Sequence, residues 1–309
     1  MANSFTSNLL FIFLVLLFGS IGTLLVIIFP FYVRVSLANR EKDKNAVVYP
    51  IIKHFFNAIC FFYLSVVLCL TFFAMNALMG IFDNKDFEIL LLFPWAIFVH
   101  AHHLILFFLS LQKFLIYFFP ETENFLITTG KSTDLIAFSL YLILTTTHLI
   151  FFLWIMFQSG DDYPNVEIYT GYYIFINSAL FSSVLLYIPI VISIGKHAHL
   201  YSFVRNKPHK FIVYQTLLIA FFKSPSLWSS WYAYTESYSI IMCLIMCIVF
   251  DLISTPVLIQ VSYLFCNKRN VNTLSKQLPA MKYIKLVFYT KTSRVNPMTI
   301  QTDFQTVGQ

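Results

Sequence analysis

Charged residues are scarce in this chain. Only 11% of its 309 residues are Asp, Glu, Lys or Arg, and 59% are hydrophobic, whereas an ordinary soluble domain is about 25% charged. The sequence also contains no linker rich in glycine and serine, no low-complexity tract and no internal repeat. These absences argue against a soluble domain and predict one domain that is solvated by lipid.

Long apolar runs dominate what is present. A bilayer core of about 30 Å is crossed by about 20 helical residues, and seven runs reach that length: residues 8–33, 54–79, 89–117, 135–157, 169–195, 211–234 and 240–265. We therefore predict an all-α membrane protein, a seven-transmembrane helix bundle over residues 1–265. Residues 266–309 are predicted to form a cytoplasmic tail that is partly disordered.

The basic residues predict the orientation of this bundle. Of the 20 lysines and arginines, all except Lys85 and Lys223 fall on one side of the predicted spans. Because lysine and arginine accumulate on the cytoplasmic side of membranes, the N-terminus is expected outside and the C-terminus inside. The basic loops then face membrane lipid of the anionic inner leaflet, and nothing in the charge pattern indicates nucleic acid.

Two opposite charges lie deep in the predicted spans. Lys223 is roughly 18 Å from the inner end of the sixth span and Asp251 roughly 16 Å from the outer end of the seventh, at 1.5 Å per residue. A charge at that depth costs at least about 2.5–3.5 kcal/mol, so such side chains usually face the bundle interior and pair. We predict an intramembrane ion pair, which is open to three interpretations: a structural link, part of a ligand pocket, or a switch.

Histidines form a second polar group in the third and fourth spans. His100, His102 and His103 lie together in the sequence HAHH, with His148 in the fourth span. His100 and His103 share one helix face. Intramembrane hydroxylases bind metal with several histidine boxes, and a second box is missing here, so neither a metal nor another cofactor is predicted. The two residues are interpreted as interior hydrogen-bonding groups or as ligand contacts.

Tryptophans lie near the predicted outer ends of the spans. This position is typical of an interfacial aromatic belt, but a pocket open to the outside would lie at the same depth, so Trp95 and Trp228 remain candidates for ligand binding. With His100, His103, Lys223 and Asp251 they would form an apolar site with few polar anchors, suited to a small organic molecule. This list is the predicted ligand-binding set.

The predicted inner face carries basic groups that could contact a partner. The loop 196–210 holds Arg205, Lys207 and Lys210 without any acidic residue, and Lys113 lies near the inner end of the third span. These cations suit either anionic lipid or the acidic surface of a protein partner. Cys266 lies just past the predicted cytoplasmic end of the seventh span. It could carry a palmitate or remain an unmodified thiol.

Two stretches of the sequence carry a resemblance to a known family. They are HHLILFFLSLQKFLIYFFPETE at residues 102–123 and DLISTPVLIQVSYLFCNKRN at residues 251–270. Together with the seven-span layout, they resemble the class Z serpentine receptors of nematodes. The resemblance implies a chemosensory G-protein-coupled receptor in the plasma membrane or cilium of a sensory neuron. It also implies an external small-molecule ligand, a heterotrimeric G protein as partner, and no enzyme activity.

The chain departs from rhodopsin-like receptors at two places. Those receptors carry Asp/Glu-Arg-Tyr at the inner end of the third helix, where this chain has Gln112, Lys113 and Phe114. They carry Asn-Pro-x-x-Tyr in the seventh helix, where this chain has Pro256 and then Tyr263 seven residues later. The alternative function is a seven-span ion channel or an odorant-type receptor-channel subunit. Asp251 is the only acidic residue deep in a span, which disfavours the acidic ring of a cation pore.

Overall fold

The described part of the chain is helical. The computed structural model describes residues 2–44, 49–79, 84–122, 130–157, 164–196, 209–235 and 240–277. These residues form eight α-helices and a short 3-10 turn at Pro120–Thr122, and they contain no strand. The helices are α1 (Ala2–Asp43), α2 (Tyr49–Met79), α3 (Asn84–Phe118), α4 (Gly130–Phe157), α5 (Pro164–Lys196), α6 (His209–Thr235), α7 (Ile240–Cys266) and α8 (Lys268–Gln277).

Each predicted apolar run lies inside one of the helices α1–α7, but most helices are longer than the runs. The largest difference is in α1, which continues past the predicted end at residue 33 to Asp43. The apolar run ends where the hydrophobic side chains end, whereas the backbone hydrogen bonds of a helix can continue through polar residues. This extension positions Asn39 and Asp43 beside α7 and α8.

Six of the seven long helices are long and apolar enough to cross a membrane when the described residues are considered: α1 to α5 and α7. The sixth helix, α6, whose side chains are described only in part, is not among them. Its apolar run contains the polar residues Gln215, Thr216 and Lys223. Those three side chains are buried, so they face the other helices.

Sequence signals mark where several helices begin. Pro164 opens α5, with Glu167 in the first turn, which suits the missing N–H of proline and the positive end of the helix dipole. Asn267 separates α7 from α8, and its side-chain oxygen accepts a 3.0 Å hydrogen bond from the backbone N–H of Arg269. This N-cap lets the chain leave α7 and start a new helix at once.

The bundle buries polar side chains and exposes apolar ones. Val26, Phe61, Phe175 and Phe221 are between 64% and 71% exposed, which is expected of surfaces covered by lipid. The main apolar core lies between α1, α2, α3, α5, α6 and α7. Helix α7 is central, because it packs against α1, α3, α6 and α8.

Candidate functional site

Lys223 and Asp251 form a buried ion pair between α6 and α7. The Lys223 Nζ atom lies 2.9 Å from Asp251 Oδ2, and both residues are almost completely buried. The hydroxyl of Tyr173 on α5 donates a 2.6 Å hydrogen bond to the same carboxylate oxygen. The opposite charges of Lys223 and Asp251 thus neutralise each other, as a low-dielectric interior requires.

A fourth residue, Asn177, completes this group on α5. The Lys223 ammonium also donates to Asn177 Oδ1, and the Asn177 amide nitrogen donates to the carbonyl of Tyr173 at 2.8 Å. Tyr173 and Asn177 are four residues apart and so face the same direction from one helix. The Lys223 Nζ lies 5.8 Å from the centre of the Tyr173 ring, within the range of a cation–π interaction. We call Lys223, Asp251, Tyr173 and Asn177 the charge cluster; it joins α5, α6 and α7.

Part of the hydrogen-bonding capacity around the charge cluster is unused. Within the described residues, Asp251 Oδ1 has no hydrogen-bond partner, and neither do Ser254 Oγ and Thr255 Oγ1 in the next turn of α7. All three side chains are buried. An unpaired buried polar atom is costly, so this part of α7 is suited to receive another hydrogen-bonding group.

A histidine pair links α3 to α4. The Nδ1 atom of His148 lies 2.9 Å from the carbonyl of Leu144, and because a carbonyl can only accept, this nitrogen carries the proton. The unprotonated Nε2 atom of His148 then accepts from Nδ1 of His100, at 3.1 Å. The hydroxyl of Tyr172 lies 3.3 Å from that same Nδ1 atom of His100. The hydrogen bond to the Leu144 carbonyl therefore determines the tautomer of His148 and, through it, that of His100.

The other two histidines of α3 differ in their partners. The Gln215 amide nitrogen lies 2.7 Å from Nε2 of His102, and the His102 ring packs on Phe55 with centroids 4.9 Å apart. His103 is completely buried, and neither of its ring nitrogens has a hydrogen-bond partner among the described residues. A neutral imidazole offers one hydrogen-bond donor and one acceptor. In His103 both are buried, and neither forms a hydrogen bond with the described residues.

A second polar cluster ties the ends of α1 and α7 to α8. The hydroxyl of Tyr263 donates a 2.8 Å hydrogen bond to Asp43 Oδ2, and Arg269 forms an ion pair with Asp43 Oδ1. The amide of Asn270 donates to the carbonyl of Tyr263 at 2.7 Å and accepts from Asn39 at 2.9 Å. Partial burial lowers the pKa of the Arg269 guanidinium. We call this end of the bundle the α8 end.

Among the described residues, no three His, Cys, Asp or Glu side chains come together in a way that could hold a metal ion. The two polar clusters are therefore described by hydrogen bonds and ion pairs alone.

Comparison with known proteins places the chain in a family. Residues 11–268 match the family described as serpentine type 7TM GPCR chemoreceptor Srz. The chain belongs to the Srz family. Comparisons with curated proteins and with solved structures gave no match. The resemblance stated from two short stretches is thereby confirmed over most of the chain, and the protein is a multi-pass membrane protein of a chemosensory receptor family, which is not a family of enzymes.

The receptor does not bring all of its predicted ligand-binding residues together. Trp95 is half-buried and donates a 2.7 Å hydrogen bond to Ser65 on α2, while its ring packs on Phe62 at 5.5 Å. Trp228 is 75% exposed and faces away from the buried clusters. We therefore do not carry Trp228 into the proposed ligand site.

The predicted partner-facing groups of the receptor are only partly described. Lys113 is half-buried near the end of α3. Arg205 and Lys207 lie outside the described residues, and so do the side chains of Lys210 and Cys266. The predictions made for these residues stay predictions.

Several of the receptor's interior polar residues were not predicted from the sequence. Tyr173 and Asn177 were not singled out, although their spacing of four places two hydrogen-bonding side chains on one face of α5. His102 does not share the helix face of His100 and His103, yet it too is buried, because α2 and α6 pack on the face that it occupies. Its partner Gln215 was likewise not singled out, although it is a polar residue within the apolar run of α6.

Proposed function

We propose that this chain is a plasma-membrane receptor that detects an external small molecule and activates a heterotrimeric G protein. The Srz family implies ligand and G-protein recognition in general terms. The distribution of basic residues supports an external N-terminus and a cytoplasmic C-terminus. The family's description as chemoreceptors supports expression in a sensory neuron, with its cilium as the site of ligand encounter.

The proposal rests on the buried polar side chains that lie between α3, α5, α6 and α7, namely the charge cluster and the histidines of α3. Polar side chains at membrane depth are costly, so they mark functional sites by default. Here they surround an interior otherwise built from aliphatic and aromatic side chains. A ligand bound among these helices could favour one arrangement of them, which is what an agonist needs in order to shift a conformational equilibrium.

His103 is the residue of this group that we assign to the ligand. Lys223 is already bound by Asp251, Tyr173 and Asn177, so a ligand that used the ammonium would have to displace one of them. The ring nitrogens of His103 are free of partners among the described residues. His100 supports this site from the same helix face, and Trp95 lies further along α3. The proposed ligand is a small organic molecule that donates or accepts one or two hydrogen bonds.

The charge cluster acts as a fixed joint in this proposal. Its ion pair links α6 to α7, and the hydrogen bonds of its α5 residues link both partners of that pair to α5. The switch interpretation of Lys223 and Asp251 would require the pair to open when the receptor is occupied, whereas a ligand could bind Asp251 Oδ1, which has no partner among the described residues, while the pair stays closed. The joint instead transmits a ligand-induced displacement of α6 to its neighbours.

The inner face of the proposed receptor is formed by the α8 end. We assign Lys113, Arg205, Lys207 and Lys210 to contact with the G protein, whose surface would have to be acidic there. Cys266 is a proposed palmitoylation site beside α8. Epitope tags at the two termini, read in intact and permeabilised cells, test this orientation: both tags on the same side would contradict it.

A reporter screen tests the proposed function. Cells expressing the receptor with a calcium or cAMP reporter are exposed to volatile and water-soluble odorants, with and without G-protein knockdown. We expect a ligand-evoked signal that disappears on knockdown. A ligand-evoked current that persists after knockdown would instead support the channel alternative.

A variant of His103 tests the assigned contact once a ligand is found. We expect His103→Leu to lower ligand potency by at least about tenfold, or ~1.4 kcal/mol, while surface expression and thermal stability stay the same or rise. Stability should not fall because the substitution removes a buried imidazole that has no partner within the described residues. Tyr187→Phe is the matched control, since its hydroxyl is also buried without a described partner. Equal potency losses in both variants would refute the assignment.

A further inference from the structure

A cavity of about 120 Å³ lies at the α8 end, between the last turns of α1 and the first turns of α2. One water requires roughly 10–15 Å³ of such space, so the cavity has room for a group of several atoms. Its polar lining includes Arg40, Lys53, Ser36 and Asn57, together with Asp43 and Tyr263.

The charge of this cavity is positive. Arg40 and Lys53 are both exposed, and neither forms an ion pair within the described residues. Glu41, the neighbour of Arg40 in the chain, pairs with Lys44 instead, at 2.8 Å. The carboxylate of Asp43 does not offset the two cations, because Arg269 and Tyr263 already occupy its two oxygens.

The remaining lining suits a group that is anionic on one side and apolar on the other. Ser36 Oγ is buried and has no described hydrogen-bond partner, so its hydroxyl is available as a donor. The first turns of α2 present the positive end of the helix dipole to the cavity. The other wall is apolar and consists of Leu37, Ile52 and Phe56.

We propose that this cavity binds the headgroup of an anionic phospholipid that carries a phosphomonoester. A phosphomonoester has a charge of about −1.5 to −2 at neutral pH, which matches the two cations better than the single charge of a phosphodiester. Arginine and lysine bind phosphate oxygens through charge-assisted hydrogen bonds. The apolar wall packs against the glycerol and upper acyl region, so the lipid is held at the membrane surface with its phosphate between α1 and α2.

Lipid binding by the purified receptor tests this inference and does not depend on any ligand or G protein. The full-length receptor in detergent is titrated with phosphatidic acid, whose phosphomonoester is attached directly to glycerol, or with phosphatidylserine or phosphatidylcholine, and one-to-one adducts are measured by native mass spectrometry. We expect the phosphomonoester lipid to bind more tightly than the other two. The double variant Arg40→Gln/Lys53→Gln should weaken its binding by at least about tenfold, or ~1.4 kcal/mol.

The control removes the same charge from the same end of the bundle. Lys42 and Lys276 are exposed and do not line the cavity, so Lys42→Gln/Lys276→Gln should leave the affinity within about twofold of the wild type. Equal losses in the two double variants would show diffuse surface attraction and overturn the proposal. Competition by soluble glycerol phosphate at the affinity of the lipid would also overturn it, because the apolar wall would then contribute nothing. Ser36→Ala, which changes no charge, should weaken binding by a smaller factor.

Discussion

Replacing Lys223 with methionine removes the cation that pairs with Asp251. Methionine has a similar length and fills the same space, so the substitution tests the charge with little change in packing. The carboxylate then keeps the hydrogen bond from Tyr173 but loses both the ion pair and its neutralising charge. Asn177 Oδ1 loses its donor in the same step.

The expected cost follows from the burial of this pair. Removing one partner of a buried ion pair costs about 3–5 kcal/mol, chiefly because an uncompensated charge remains. Interhelical hydrogen bonds within membranes average only about 0.6 kcal/mol, and Asp251 can take up a proton, so we expect the lower end, about 3 kcal/mol. At 1.4 kcal/mol per factor of ten, this is roughly a hundredfold change in the folding equilibrium.

A charge-swapped double variant separates direct contact from general damage. In Lys223→Asp/Asp251→Lys, the new ammonium at 251 can still meet the Tyr173 hydroxyl, which accepts as well as donates, and the Asn177 amide can turn to donate to the new carboxylate. We expect Lys223→Met and Asp251→Asn each to lower stability and surface expression, and the swap to recover part of the loss.

The assay is equilibrium unfolding in mixed micelles together with surface expression measured by an epitope tag. Ser262→Ala is the control in α7, because its hydroxyl is buried and donates to the carbonyl of Leu258 one turn away in α7; it should cost under about 1 kcal/mol. If the swapped variant is no more stable than either single variant, the direct contact between Lys223 and Asp251 is refuted.

Two further substitutions probe the polar clusters. Tyr173→Phe should lower stability by about 1–2 kcal/mol, because one charge-assisted bond to Asp251 is lost, whereas Tyr187→Phe should be neutral; unfolding in micelles compares them, and equal effects would contradict the role of the Tyr173 hydroxyl. Asp43→Asn should release α8 from α1 and α7, which hydrogen exchange of α8 measures as faster exchange confined to that helix. Unchanged exchange would show that the buried apolar residues of α8 hold it in place without the ion pair.

The positions of the helices along the chain were largely predictable from residue type. Runs of about 20 apolar residues exclude water-exposed loops and predict membrane helices directly, and each of the seven predicted runs lies within one of the helices α1–α7. The ends of α1 were less predictable, since residues 34–43 are polar enough to read as a loop and yet remain helical up to Asp43. Two family-like stretches were sufficient to indicate the Srz family.

The partner of an interior polar residue was predictable only where the free-energy cost of burying an unpaired charge required one. A lysine and an aspartate at one depth on consecutive helices had few other ways to be neutralised, so their pairing could be proposed from position. The partners of hydroxyl, amide and imidazole groups could not be read in this way, because many such groups occur in every span. Which of them meet depends on helix rotation.

Residue type and position alone thus predict a lipid-solvated bundle with a deep pair of opposite charges, because burial cost and hydropathy depend on nothing else. The packing of the helices adds that Tyr173 and Asn177 surround that pair, that His103 keeps both ring nitrogens unpartnered within the described residues, and that Arg40 and Lys53 share one cavity. These contacts could not be read from residue type, because the rotation of each helix about its axis selects which faces meet. Those angles depend on the side chains of every neighbouring helix at once.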